Sequence, residues 1–166
     1  MVNLNKQSAN NFQIVLINPE IPGNTGSIGR TCLALGARLI LIGNYGFSLD
    51  EKKVRRAGLD YWKYVMLTEF QSWDDFLQVE SPRPSHLFFL ETGNYPTLFE
   101  SKLPEGAYFV FGSETKGHSL EITNKYQQSH FYTMPMYSDK IRSINLSNIA
   151  TACAYEFIRQ QHFNFS

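Results

Sequence analysis

Short apolar runs alternate with polar turns along most of the chain. Residues 12–17 and 38–42 are almost wholly apolar and end at turn-forming residues. Such strands are buried on both faces, as in parallel sheets covered by helices, whereas half-exposed antiparallel strands alternate apolar and polar residues. The predicted strands are residues 12–17, 38–42, 61–67, 86–90, 108–111 and 131–134. The pattern therefore predicts an α/β fold with a parallel sheet flanked by helices.

Helical spacing predicts two helices in the first half of the chain. Ile28, Cys32 and Leu35 share one face of a helix that follows a glycine-bearing turn, and Gly36 is placed to end it. Ser72 is a predicted N-cap, because two acidic residues and then apolar positions at helical spacing follow it.

The last helix has the clearest signal, since apolar residues recur in it at i, i+3, i+4 and i+7 without interruption. Its apolar face consists of Leu146, Ile149, Ala150, Cys153, Ala154, Phe157 and Ile158. Asn145 or Ser147 can cap its start, and Glu156 and Arg159 are expected at its polar edge. The apolar face can pack in the core or form a subunit interface, and different positions can do each.

Length and composition fit one globular domain. The chain has 166 residues, 43% of them hydrophobic, and we assign residues 12–166 to the domain and residues 1–11 to a polar N-terminal extension. No apolar run approaches the roughly 20 residues that span a bilayer, and no secretory signal is evident. A cytoplasmic protein is predicted.

Cys32 and Cys153 are expected in the core, and the spacing of the four histidines predicts no metal site.

Charge is balanced overall but concentrated locally. Fifteen Lys and Arg residues against 15 Asp and Glu residues give a formal net charge of zero, so a polyanionic partner must be held by local patches. The densest patch holds Lys52, Lys53, Arg55 and Arg56. Such a run is usually the solvated face of a short helix, but here it is also a candidate for contacting phosphates.

Three polar clusters follow predicted strands. They are residues 18–26 with Arg30, residues 111–117 and residues 142–148. The first lacks the glycine spacing of nucleotide-binding loops. Taken singly, their residues have ordinary interpretations as helix caps and surface cations. Because ligands of open α/β sheets bind beyond the carboxyl ends of the strands, the three clusters together predict one composite site.

In order and spacing, the clusters resemble the three motifs of the SPOUT class of RNA methyltransferases, and especially its TrmL (YibK-like) family. The family motifs run close to PEIPxNTGNIxR, FGxExxGLP and RSxNLSN followed by a Tyr-Glu pair. The matching segments are PEIPGNTGSIGR at residues 19–30, FGSETKGHS at 111–119, RSINLSN at 142–148 and Tyr155-Glu156. The resemblance runs from about Ile14 to Arg159. Its departures are Ser27 in place of Asn, and His118-Ser119 in place of Leu-Pro.

The resemblance implies a C-terminal trefoil knot that binds S-adenosylmethionine. It assigns the cofactor contacts to Leu90, Gly112, Met134 and Ser143. The residue types agree in part, because glycine lets the main chain approach a flat base, Leu90 and Met134 offer apolar walls, and Ser143 offers a hydroxyl.

The implied activity is 2′-O-methylation of the wobble nucleotide of tRNA, cytidine or modified uridine at position 34. Arg30 takes the position of the residue assigned to activate the ribose hydroxyl. A guanidinium with a pKa above about 12 is better suited to binding a phosphate and stabilising the forming alkoxide. Glu114 and Asn145 are expected to orient the loops of the site, and Asn24 to fix the turn that aims Arg30.

The resemblance also implies RNA contacts and a homodimer. Arg142, Tyr155 and the basic run at residues 52–56 are expected to contact the tRNA. The apolar faces of the first and last helices are expected to form a self-complementary interface, with a site completed across it.

Two other functions stay open at this point. One is an RNA-binding module with a decayed cofactor pocket, and the other is a ribosomal RNA 2′-O-methyltransferase. The intact third cluster and the two glycines of the second favour an enzyme, and the compact single domain favours tRNA. Cofactor binding separates the enzyme from the binding module.

Overall fold

Six strands form one parallel sheet in the computed structural model, which describes residues 11–47 and 60–163. The strands are β1 (Phe12–Ile17), β2 (Arg38–Ile42), β3 (Leu67–Phe70), β4 (Leu87–Leu90), β5 (Ala107–Phe111) and β6 (Phe131–Tyr132). Their order across the sheet is β3-β2-β1-β5-β4-β6, and every neighbouring pair is parallel. The predicted parallel α/β sheet is confirmed.

Helices cover both faces of the sheet. They are α1 (Pro22–Leu35), α2 (Trp73–Glu80), α3 (Leu120–Lys125) and α4 (Leu146–His162), with short 3₁₀ turns at Trp62–Tyr64, Pro84–His86, Leu98–Glu100 and Gln128–His130. Helices α1 and α4 pack on the face that holds Ile14 and Phe109. Helices α2 and α3 pack on the face that holds Val15 and Val110. Among the described residues, no helix is long and apolar enough to cross a membrane.

The strand predicted at residues 61–67 is wrong in its position, because strand β3 begins only at Leu67. The preceding apolar residues form the 3₁₀ turn that packs onto α1. A Cβ atom on Gly29 of α1 would lie 2.4 Å from a ring carbon of Trp62, and the Tyr61 hydroxyl donates to the Gly26 carbonyl at 2.8 Å. The apolar run therefore covers a helix instead of joining the sheet.

The glycine-bearing turn predicted before the first helix is the first turn of α1 itself. Pro22 lies at its N-terminus, where the missing N–H group costs nothing. The N-cap residue is Ile21, so Asn24 is not a cap but a buried helical residue. At the other end, Gly36 adopts φ 65° and ends the helix as predicted.

The apolar faces of α1 and α4 pack against each other within one chain. Ile28, Cys32 and Cys153 have no exposed surface, and Leu35 packs against the same cluster. The Thr31 and Thr151 hydroxyls, 2.9 Å apart, link the two helices. Ile28, Cys32 and Cys153 therefore belong to the core of the single chain and are not available to a subunit interface. Leu35, Leu146 and Ile149, on the same two faces, are only partly buried.

Glu156 is buried and not at the polar edge of α4, where the sequence places it. Its carboxylate accepts hydrogen bonds from the Arg159 guanidinium at 2.7 and 2.8 Å and from Gln160 at 2.8 Å. The Arg159 hydrogen bonds lower the pKa of Glu156. Because Gln160 also donates to the Ser101 carbonyl, this group ties the end of α4 to the segment before β5.

Helix α3 is an element that hydrophobic spacing misses, because six residues are too few to show a period. Ser119 begins it as a side-chain cap. Strand β6 is shorter than predicted, since Met134 lies beyond its end. Lys52, Lys53, Arg55 and Arg56, the predicted basic run, lie outside the described residues.

Candidate functional site

A cavity of about 470 Å³ opens at the carboxyl ends of the strands. It lies where the loops after β1, β4, β5 and β6 meet, beside the switch point between β1 and β5, and this is where ligands of open α/β sheets bind. The four predicted cofactor contacts all line it: Leu90, Gly112, Met134 and Ser143. So do Asn24, Glu114, Arg142 and Asn145. Residues of all three sequence clusters therefore line one cavity.

The Glu114 carboxylate joins the second cluster to the first. It accepts hydrogen bonds from the backbone N–H of Glu20 at 2.7 Å, from that of Ile21 at 3.1 Å and from the Asn24 side-chain amide at 3.2 Å. The two backbone donors immediately precede α1, where a negative group is also favoured by the helix dipole. Glu114 therefore fixes the start of α1 against the loop after β5.

Asn145 joins the third cluster to the first. Its amide nitrogen donates to Asn24 Oδ1 at 3.0 Å, and its own oxygen accepts from the Ser147 backbone N–H at 2.9 Å, which caps α4. Asn24 is 6% exposed and has both ends of its amide bonded. Because amide donors and acceptors are directional, the chain Glu114–Asn24–Asn145 sets the relative placement of α1, the loop after β5 and α4.

A second carboxylate, Glu20, was not predicted as a site residue. It lies in the first cluster and accepts hydrogen bonds from the second. Glu20 accepts from the Thr115 backbone N–H at 3.1 Å and from the Thr115 hydroxyl at 2.9 Å. Glu20 belongs to the first matching segment, so its place in that motif was the available signal. The partner threonine, 95 residues away, has no local signal.

The structure explains the glycine at position 112 differently from the sequence analysis, which expected it to let the main chain approach a flat base. A Cβ atom there would lie 2.1 Å from the carbonyl carbon of Gly117 and 2.4 Å from the backbone nitrogen of His118. The missing side chain therefore admits the protein's own loop, which closes through paired backbone hydrogen bonds between Ser113 and Gly117 at 2.9 and 3.1 Å. Gly112 shapes the cavity wall through this turn.

His118, a departure from the family motif, lies in the core. Its Nε2 is 3.1 Å from the Leu90 carbonyl oxygen, and its ring meets Phe89 and Phe131 edge-on. Burial lowers the pKa of His118, against the nearby charge of Glu91, which acts to raise it. The buried ring thus holds the ends of β4 and β5 together behind the cavity.

Arg30 and Tyr155 are the two predicted site residues of the described chain that do not line the cavity. Arg30 is exposed on α1, with its Cζ 4.5 Å from the centroid of the Tyr61 ring. Tyr155 is 55% exposed on α4. Within one chain, neither residue shares the cavity that the other predicted site residues of the described ranges line.

Comparison with known proteins assigns the family. The SpoU rRNA Methylase family model matches residues 11–155, and the chain belongs to this family. The tRNA (cytidine(34)-2′-O)-methyltransferase of Burkholderia cenocepacia is 40% identical over 152 residues, which cover 92% of this chain and 97% of that protein. The resemblance found in the sequence is confirmed.

Two solved structures have a similar fold, and one of them holds AdoMet. One, from work on the 2-OH methylation of C/U34 on tRNA, superposes with a TM-score of 0.80 at 35% identity and covers 92% of this chain and 97% of that chain. The other is the SpoU methyltransferase AviRb from Streptomyces viridochromogenes in complex with AdoMet. Its TM-score is 0.76 at 26% identity, covering 93% of this chain and 62% of that chain.

The cavity fits a cofactor of this kind. Its volume of about 470 Å³ falls within the roughly 300–1,000 Å³ typical of sites for small molecules and cofactors. Leu90 and Met134 supply apolar wall, and the loop around Gly112 brings backbone polar groups to the same space. No group of three or more His, Cys, Asp or Glu side chains in residues 11–47 and 60–163 could hold a metal ion.

Proposed function

We propose that this protein transfers a methyl group from S-adenosylmethionine to the ribose 2′-hydroxyl of the wobble nucleotide, position 34, of tRNA. The observation that carries this proposal is the convergence of all three family motifs on one cavity of cofactor size. The activity named for relatives at about 40% identity supports the substrate.

The described side chains of the site have two roles, binding the cofactor and orienting the loops. S-adenosylmethionine, when bound, supplies the methyl group. Leu90, Gly112, Met134 and Ser143 hold it. Asn24, Glu114 and Asn145 act as orienting groups, because their hydrogen bonds fix the three loops before any ligand arrives. A preorganised site of this kind lowers the barrier mainly by placing the reacting groups in line.

Arg30 is proposed to bind a phosphate of the RNA and to stabilise the alkoxide as the ribose hydroxyl loses its proton. Its position outside its own chain's cavity supports a homodimer in which Arg30 of one chain serves the cavity of the other. The interface would use the outward surfaces of α1 and α4, where Arg30 and Tyr155 are exposed. Arg142, at the cavity, and the basic run at residues 52–56 are proposed to contact the tRNA, in the cytoplasm.

A trefoil knot is proposed for the C-terminal part of the domain, residues 12–166. Support comes from the chain's path: after the edge strand β6, residues 133–145 return along the cavity, and α4 then packs against α1. Residues 1–11 are proposed to stay outside this domain as a polar extension.

The proposed function is tested by incubating the purified protein with unmodified tRNA and S-adenosylmethionine and analysing the tRNA nucleosides by mass spectrometry. We expect one 2′-O-methyl group at position 34. The Arg30→Ala variant should lose transfer while still binding the cofactor in calorimetry, whereas Arg83→Ala, an exposed arginine elsewhere, should leave both unchanged. Cofactor binding without transfer to any RNA, or transfer to ribosomal RNA alone, would contradict the proposal.

A further inference from the structure

We propose that Glu20 is a positioning residue that sets the affinity of the cavity for its cofactor by holding the cavity wall through Thr115. The proposal rests on the function proposed above, because it concerns the cavity assigned to S-adenosylmethionine. Glu20 itself is not among the cavity-lining residues, whereas Thr115 is.

The geometry is reciprocal. Glu20 accepts from the Thr115 backbone N–H and hydroxyl at 3.1 and 2.9 Å. Glu114, next to Thr115, accepts from the backbone N–H groups of Glu20 and Ile21 at 2.7 and 3.1 Å. These four hydrogen bonds, called the clasp below, cross-link two segments more than 90 residues apart. Each carboxylate binds the backbone of the other segment, so neither can shift alone.

The clasp acts on a part of the cavity wall that lies outside the helices and strands. The turn after β5 is closed at its base by the backbone bonds between Ser113 and Gly117. Its tip, residues 114–116, extends beyond that closure and lines the cavity. Surface loops are mobile unless something ties them down. The clasp ties the tip to the loop between β1 and α1.

A wall that is ordered in advance binds more tightly, because a ligand then loses less free energy in ordering it. Loss of the Glu20 carboxylate leaves Glu114 in place but frees Thr115. We therefore expect weaker cofactor binding with the core and the orienting chain of Asn24 and Asn145 intact.

The test is a double-mutant cycle on S-adenosylmethionine affinity, measured by calorimetry on the full chain. Glu20→Ala should raise the Kd about tenfold, equivalent to about 1.4 kcal/mol. Thr115→Val, which keeps the backbone bond, should raise it about threefold, and the double variant about tenfold, because both changes remove the same contact. Thr115→Ser, which keeps the hydroxyl, should stay within about twofold of the wild type.

Glu105→Ala is the matched control, because Glu105 is an exposed carboxylate on a different turn. Its Kd should equal that of the wild type. A Glu20→Ala Kd equal to the control's, or additive losses of about thirtyfold in the double variant, would overturn the proposal.

Amide hydrogen exchange in the protein without cofactor gives a second readout that does not depend on the proposed function. Glu20→Ala should speed exchange of the Thr115 amide, and Glu105→Ala should not. Faster exchange in a protein that binds no S-adenosylmethionine would support the clasp and refute the proposed function. Unchanged exchange at Thr115 would refute the clasp, whatever the wild type binds.

Discussion

Two polar networks lie at opposite ends of the sheet and use the same carboxylate chemistry for different purposes. At the carboxyl ends, Glu114 and Glu20 accept mainly from neutral backbone and amide donors. At the amino ends, Glu80 of α2 pairs with the Arg38 guanidinium of β2 and accepts from the Tyr108 hydroxyl of β5 at 3.1 Å. The first network joins loops around a cavity, whereas the second joins a helix to two strands.

The difference shows in the charges. Burial alone acts to raise the pKa of Glu80, but the hydrogen bonds and positive charge of Arg38 outweigh it, and the pKa ends below its usual value. The positive charge of Arg38 and the negative charge of Glu80 balance each other, and the pair links α2 to the sheet. Among residues 11–47 and 60–163, no cation is paired with Glu20 or Glu114, so these carboxylates act through the direction of their hydrogen bonds. We therefore expect the first network to govern activity and the second to govern stability.

The sharpest test of this comparison is Glu114→Ala. Three hydrogen bonds to the start of α1 and to Asn24 disappear, so the loops of the site lose their relative placement. We expect kcat/KM for tRNA methylation to fall about 100-fold, which is about 2.7 kcal/mol of transition-state stabilisation. Glu121→Ala, a change at an exposed carboxylate on α3, is the control. Activity within about threefold of the control would remove Glu114 from the orienting network.

The converse change is Glu80→Ala, which leaves Arg38 partly buried without its carboxylate. The free energy of unfolding in urea should fall by about 2 kcal/mol at pH 7, less than for a fully buried pair because Arg38 is partly exposed. S-adenosylmethionine affinity should not change. Because folding lowers the pKa of Glu80, this stabilisation is present above the unfolded pKa of about 4.3 and is lost as the pH falls through the lower folded value. A loss of S-adenosylmethionine affinity as large as that of Glu20→Ala would show that the Glu80 network also supports the cavity, and would contradict the distinction between the two networks.

The smallest effect concerns His118, which lies in the core behind the cavity. Its lowered pKa means that the unfolded chain takes up the proton first, so stability falls as the pH drops below about 6.5. We expect a loss of at most about 1 kcal/mol between pH 6.5 and 5.5 in the wild type, the limit that titration of the unfolded imidazole sets. His118→Leu should abolish that component, and His86→Gln should keep it. Parallel pH profiles for the wild type and His118→Leu would show that the ring does not titrate as proposed.

Local patterns were enough for several elements. The near-continuous apolar runs indicated a parallel sheet, and four of the predicted strands agree with β1, β2, β4 and β5 to within their ends. The helical spacing from Leu146 onward indicated α4, whose cap is Asn145. The site could also be located, because polar clusters after parallel strands must meet at one edge of the sheet. These features depend on residues close in sequence or on the direction of the strands.

Long-range packing decided the rest. The apolar residues before Leu67 form a turn because Gly29 leaves room for the Trp62 ring. Gln160, which donates to the buried Glu156, also donates to the Ser101 carbonyl 59 residues away. Glu20 accepts hydrogen bonds from Thr115, 95 residues away. Periodicity and composition predict which residues are buried, but they do not predict which distant residue each one contacts. The sequence by itself therefore determined most of the sheet, the last helix and which polar clusters line the cavity. The tertiary structure alone decided the hydrogen bonds that hold the site together and the exclusion of Arg30 from its own chain's cavity, since both depend on the relative placement of segments far apart in the chain.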